Sequence, residues 1–114
     1  MAGFGLTIEE LDGGAIRIGL RGELDLAHAY TFDEELRRVE EARPPCVVLD
    51  LRELVFLDSC GIARLLAARR RARKAGHRLL LVKGSPNVQR LFAFAAVDEA
   101  FEMVSDLPLA LSSR

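Results

Sequence analysis

The chain has 114 residues, with 16 Lys and Arg against 17 Asp and Glu and a formal net charge of -1, which suits one ordinary domain and supplies no overall pull toward nucleic acid. Half of the residues are hydrophobic and 29% are charged, a balance that excludes a disordered polar tail. No apolar run approaches the roughly 20 residues of a membrane-crossing helix, the start MAGFGLTIEE lacks the pattern of an export signal, and Cys46 and Cys60 are too few for a disulfide framework or a closed zinc site. The expectation is a cytoplasmic protein with reduced thiols, no membrane insertion and no cofactor.

Leu6 to Leu11 and Ala15 to Arg21 alternate with period two, with Leu6 and Ile8 in the first and Ile16, Ile18 and Leu20 in the second facing one side. Asp12, Gly13 and Gly14 between them provide the positive φ values of a tight connection, so the pair is expected to be antiparallel. From Ala27 to Ala42 the apolar positions Ala29, Phe32, Leu36 and Val39 recur every three or four residues and predict an amphipathic helix. Arg43, Pro44 and Pro45 end it. Cys46 to Leu51 is apolar on both faces, as in a central strand covered on two sides.

A second helix is predicted from Ser59 or Gly61 to Lys74, with Ile62, Leu65, Leu66 and Ala72 inward and Gly76 as its stop. Leu79 to Val82 reads as another buried strand. Ser85 and Pro86 mark the start of a third helix, as cap and first helical residue, with Val88, Leu91, Phe92 and Ala95 as its inner stripe. Phe92, Phe94 and Phe101 are assigned to the core, with an exposed, partner-contacting Phe94 as the alternative; Phe101 to Val104 reads as a short edge strand and the tail from Asp106 as a final helix. The fold class is therefore α/β: a mostly parallel sheet of four to five strands, opened by an antiparallel hairpin and flanked by about four helices.

The junction Leu57-Asp58-Ser59-Cys60-Gly61 joins a buried segment to a helix start. Free amides and the helix dipole there favour an anion such as phosphate, the dipole by ~0.3 to 1 kcal/mol; the plainer reading is that Asp58 or Ser59 caps the helix while Gly61 permits a tight turn. Glu23 and Asp25 are assigned to flank a loop rather than to form an acid-base pair; Asp25 is placed to cap the next helix, and either is a candidate contact for a partner. Arg69, Arg70, Arg71, Arg73, Lys74 and Arg78 are assigned to a solvated helix face rather than a nucleic-acid site, since the chain has one Tyr and no Trp to stack on bases.

Four stretches, in this order and at these separations, resemble the STAS domain of sulfate transporters and anti-sigma factor antagonists. They are Gly22-Glu23-Leu24-Asp25, Val47-Val48-Leu49-Asp50-Leu51, Phe56-Leu57-Asp58-Ser59-Cys60-Gly61-Ile62 and Ser85 to Phe92. The likeness runs from Leu6 to Val104. It implies a non-enzymatic interaction module whose partner is an anti-sigma factor of the serine protein kinase type, which reverses binding by phosphorylating the antagonist. The family's acceptor is the Ser or Thr just before the glycine, a position held here by Cys60, so the resemblance implies either loss of the switch, the favoured outcome, or its transfer to Ser59. It further implies a partner-facing surface of Glu23, Asp25, Asp58, Ser59, Cys60, Gly61 and Ile62. Alternatives are a STAS subunit of a transporter or signalling scaffold and, more remotely, a thiol-based sensor using Cys60.

Overall fold

The computed structural model describes residues 3–108. Its elements are β1 (Phe4–Glu10), β2 (Ile16–Leu24), α1 (Leu26–Glu41), β3 (Cys46–Leu57), α2 (Ser59–Ala75), β4 (Arg78–Val82), α3 (Pro86–Phe94) and β5 (Glu102–Val104), with short 3-10 turns at Asp12–Gly14 and Asp98–Ala100. The five strands lie side by side in chain order, β1 antiparallel to β2 and the rest parallel. The connection between β1 and β2 uses positive φ at Gly13 and Gly14, a region closed to most residues with a Cβ.

All three helices cover one face of the sheet. Phe32 and Leu36 of α1, Leu65 and Ala68 of α2, and Val88 and Phe92 of α3 close over Ile18, Leu20, Val47, Leu49 and Leu81 in one continuous core. The opposite face carries a smaller apolar group, Cys46, Val48, Leu80 and Val82, covered by Leu11, Ala15 and the partly buried Val104 and Leu107. Double coverage is why Cys46 to Leu51 shows no alternation.

Several expectations are corrected. Among the described residues there are three α-helices, where about four were expected; Asp106 to Pro108 are not helical, and the rest of the anticipated last helix lies outside the described residues. Ile8, expected inward, is 51% exposed because β1 is an edge strand with no helix beside that position. Phe94, assigned to the core, is 84% exposed: it falls two residues after the buried Phe92, off the stripe of a 3.6-residue repeat, and Ala95 is exposed as well. The largest difference is β3, which runs six residues past Leu51. Its register against β2 shifts once between Gly19 and Arg21 and again between Gly22 and Glu23. Each shift resets the alternation, so Leu51, Leu54 and Leu57 all point into the core at a spacing of three.

Candidate functional site

Because β2, β3 and β4 are parallel and each feeds a helix, α1, α2 and α3 begin at the same end of the sheet. Open α/β sheets form their binding surfaces at this end. Asp58, between β3 and α2, organises it. Its Oδ1 accepts hydrogen bonds from the amides of Cys60 at 2.9 Å and Gly61 at 3.0 Å, capping α2. Its Oδ2 accepts from the amide of Leu26, the first residue of α1, at 3.1 Å. One carboxylate thus satisfies donors at two helix starts.

The β2 end is held from its other side. The Leu24 carbonyl accepts from the Asp58 amide at 3.3 Å, and a Cβ at Gly61 would collide with that same carbonyl. Glycine at position 61 lets the first turn of α2 press onto the backbone of β2. Gly22, with φ +89, is equally constrained: a Cβ there would strike the Gly3 carbonyl, which accepts the Glu23 amide at 2.9 Å. The segments Gly22 to Asp25 and Asp58 to Gly61 are therefore one bonded unit.

Asp25 stands at the N-terminal boundary of α1 but makes no side-chain cap bond. Its Oδ1 lies 2.7 Å from Nδ1 of His28, whose ring stacks on Phe4 at 5.5 Å. The capping anticipated for Asp25 is supplied by Asp58 instead. Ser59 is exposed in the first turn of α2; Cys60 and Ile62 are half-buried, and Cys60 is a free thiol. The elements that meet here also carry exposed apolar side chains: Leu26 is 74% and Tyr30 75% exposed, one turn apart on α1, and Val55 and Phe56 at the end of β3 are also exposed. Asn87, at the start of α3, reaches within 3.5 Å of the Val55 carbonyl. Sequence reasoning missed these flanking residues. Leu26 and Tyr30 lie off the stripe formed by Ala29, Phe32 and Leu36, which is the signal that could have found them.

Several of the other charged groups are tied within the fold. Asp50, 2% exposed, bonds Arg52 at 2.7 Å and Arg17 at 2.9 Å on the face away from the helices. Of the basic cluster, Arg71 pairs with Glu40 at 2.7 Å and Asp33 at 3.3 Å of α1, and Arg78 pairs with Glu102 of β5. These two guanidiniums serve the packing of elements, while Arg70, Arg73 and Lys74 are exposed. No group of three metal-ligating side chains occurs among the described residues, and no helix among them is long and apolar enough to cross a membrane.

Comparison with known proteins gives a consistent outcome. The STAS domain model matches residues 8–110. A STAS-domain containing protein of Pseudomonas aeruginosa is 28% identical over 97 residues, covering 85% of this chain and 95% of that protein. The anti-sigma-F factor antagonist RsfB of Mycobacterium tuberculosis is 27% identical over 107 residues, covering 94% and 86%. Among solved structures, an anti-sigma factor antagonist from Mycobacterium paratuberculosis superposes with a TM-score of 0.83 at 25% identity, covering 92% of this chain and 88% of that one. The anti-sigma factor antagonist SpoIIAA in its unphosphorylated form shares the fold, with a TM-score of 0.74 at 20% identity and 90% of each chain covered.

Proposed function

This chain belongs to the STAS domain family, and from that premise we propose that it acts as an anti-sigma factor antagonist, a non-enzymatic protein that binds an anti-sigma factor of the serine-kinase type. The observation that carries this reading is the pole where Asp58 ties the starts of α1 and α2 together, with Ser59 exposed on α2 and Leu26 and Tyr30 exposed on α1. Exposed apolar and aromatic side chains beside a polar centre are the anatomy of a protein-docking patch. Two relatives that cover most of the chain carry the antagonist name, which supports the same reading.

Control by phosphate is the second part of the proposal. A phosphate at a helix start adds ~1.5 to 2 negative charges; the free domain tolerates it through the helix dipole, but a docked partner loses contact by repulsion and desolvation. In this chain Cys60 holds the acceptor position and its thiol is no substrate for serine phosphorylation. Ser59, the first residue of α2, stands beside it. The protein is then a constitutive binder, with Glu23, Asp25, Ser59, Cys60 and Ile62 at the contact and Asp58 and Gly61 shaping it.

Affinity capture with purified kinase-type anti-sigma factors tests the reading. Retention of one of them, weakened about tenfold or more by Tyr30→Ala, is the expected result; retention of transporter subunits in its place, or indifference to both Tyr30→Ala and Ser59→Glu, overturns it. Incubation with the captured kinase and ATP should leave the intact mass unchanged, whereas a phosphate mapped to Ser59 would show that the switch persists one residue earlier.

A further inference from the structure

Strand β1 forms an open edge of the sheet, and its ladder with β2 shows which backbone groups are already used. The Glu23 amide bonds the Gly3 carbonyl at 2.9 Å and the Leu11 amide bonds the Ala15 carbonyl at 2.7 Å. Antiparallel ladders bond every second residue, so Gly5, Thr7 and Glu9 spend their N–H and C=O groups on β2. Those of Phe4, Leu6, Ile8 and Glu10 face outward along the whole strand. The pairing of β1 with β2 runs unbroken from Phe4 to Glu10, and the strand has neither the proline nor the bulge that usually blocks an edge.

In one register the side chains of β1 complement themselves. With Thr7 opposite the partner's Thr7, Leu6 meets the partner's Ile8 on the helix-bearing face. Gly5 meets the partner's Glu9 on the other face. The space above Gly5 is filled by the Arg21 guanidinium, with which a Cβ at Gly5 would collide. Arg21 makes no ion pair among the described residues, and Glu9 has only a 3.8 Å contact with Arg17. This register places Arg21 against the partner's Glu9 twice, by symmetry, and covers the half-exposed Ile8. Sliding toward the C-terminal end of the strand instead brings Glu9 against the partner's Glu9, which disfavours that alternative.

We propose that a second copy of this chain docks antiparallel along β1, joining two five-stranded sheets into one. The edge is short, so the dimer is weak and forms at high protein concentration. The docking surface lies on β1 and leaves Ser59 and Tyr30 to a different partner.

Sedimentation equilibrium over a wide concentration range tests the proposal. The wild-type chain should self-associate, and Arg21→Glu and Glu9→Arg should each weaken association about tenfold or more through two like-charge contacts. The double variant should recover it. A wild-type chain that stays monomeric up to millimolar concentration, or a double variant no better than the single ones, overturns the proposal. Register is read by oxidation: facing residues of a non-bonded antiparallel pair lie within disulfide reach, so Thr7→Cys should cross-link to itself faster than Glu9→Cys. The reverse order, or equal rates, excludes this interface.

Discussion

Asp58 shows how a residue can govern a surface without supplying contact area to it. Its two oxygens are assigned to different helices, Oδ1 to α2 and Oδ2 to α1, so the isosteric change Asp58→Asn separates the roles. The amide oxygen continues to cap α2, while the NH2 group faces the Leu26 amide, donor against donor. The expected cost is about 1–2 kcal/mol by urea denaturation, with the loss of amide-exchange protection concentrated at Leu26 rather than at Cys60 and Gly61. Equal loss at both helix starts would contradict the division of labour. A short polar residue before Ser59 was legible as a cap, but its second helix was not, because the bond to Leu26 spans 32 positions and no local pattern encodes it.

At the scale of elements, the strands and helices rich in periodic apolar residues were readable, and the failures have physical causes. Beyond Leu51, β3 hides behind its two bulges, since Leu51, Leu54 and Leu57 follow a spacing of three that belongs to neither regular period. The bulge at Arg52 has its own support: the Arg52 amide bonds Oδ1 of Asp50 at 3.1 Å. Helix ends tell a similar story. Gly76 stops α2 at φ +82, with its own amide and that of His77 both bonded to the Ala72 carbonyl. α3 closes in the same manner, the Val97 amide on the Phe92 carbonyl and the Ala96 amide on the Ala93 carbonyl, but with alanine at φ +57. Only the glycine announced itself in the sequence. A left-handed residue with a Cβ carries strain of about 1 kcal/mol, so Gly76→Ala should destabilise by about that amount, while Ala96→Gly should stabilise by about 0.5–1 kcal/mol. Thermal melts of both single variants check the pair; shifts of the same sign would reject the argument.

Across the whole molecule, ion pairs lace neighbouring elements together on the sides away from the docking pole: Arg17, Asp50 and Arg52 join β2 to β3, and Arg78 with Glu102 joins β4 to β5. Burial alone would raise the pKa of the Asp50 carboxyl, but hydrogen bonds from Arg52 and Arg17 outweigh it and hold the group below its usual value. Glu102 is likewise lowered, chiefly by its hydrogen bond from Arg78. A depressed carboxyl adds stability that is complete above its unfolded pKa and lost as pH falls through the lower folded one. The acid limb should therefore open below about pH 4, the ordinary carboxylate range. Asp50 should dominate it, since Glu102 and Arg78 are both half exposed and solvent screens their attraction. Unfolding by urea at neutral pH and near pH 2 should show Asp50→Asn less stable at neutral pH, by about 1–3 kcal/mol, with a shallower decline in acid, whereas Glu102→Gln should reproduce the wild-type decline. Because Asp50 also holds the Arg52 amide at the bulge, its protonation releases the segment that carries β3 toward Asp58. Exchange protection at Arg52 should accordingly fall in acid before that of Leu81 in the core of β4, and simultaneous loss at both would mean that the bulge does not depend on the ionised carboxylate.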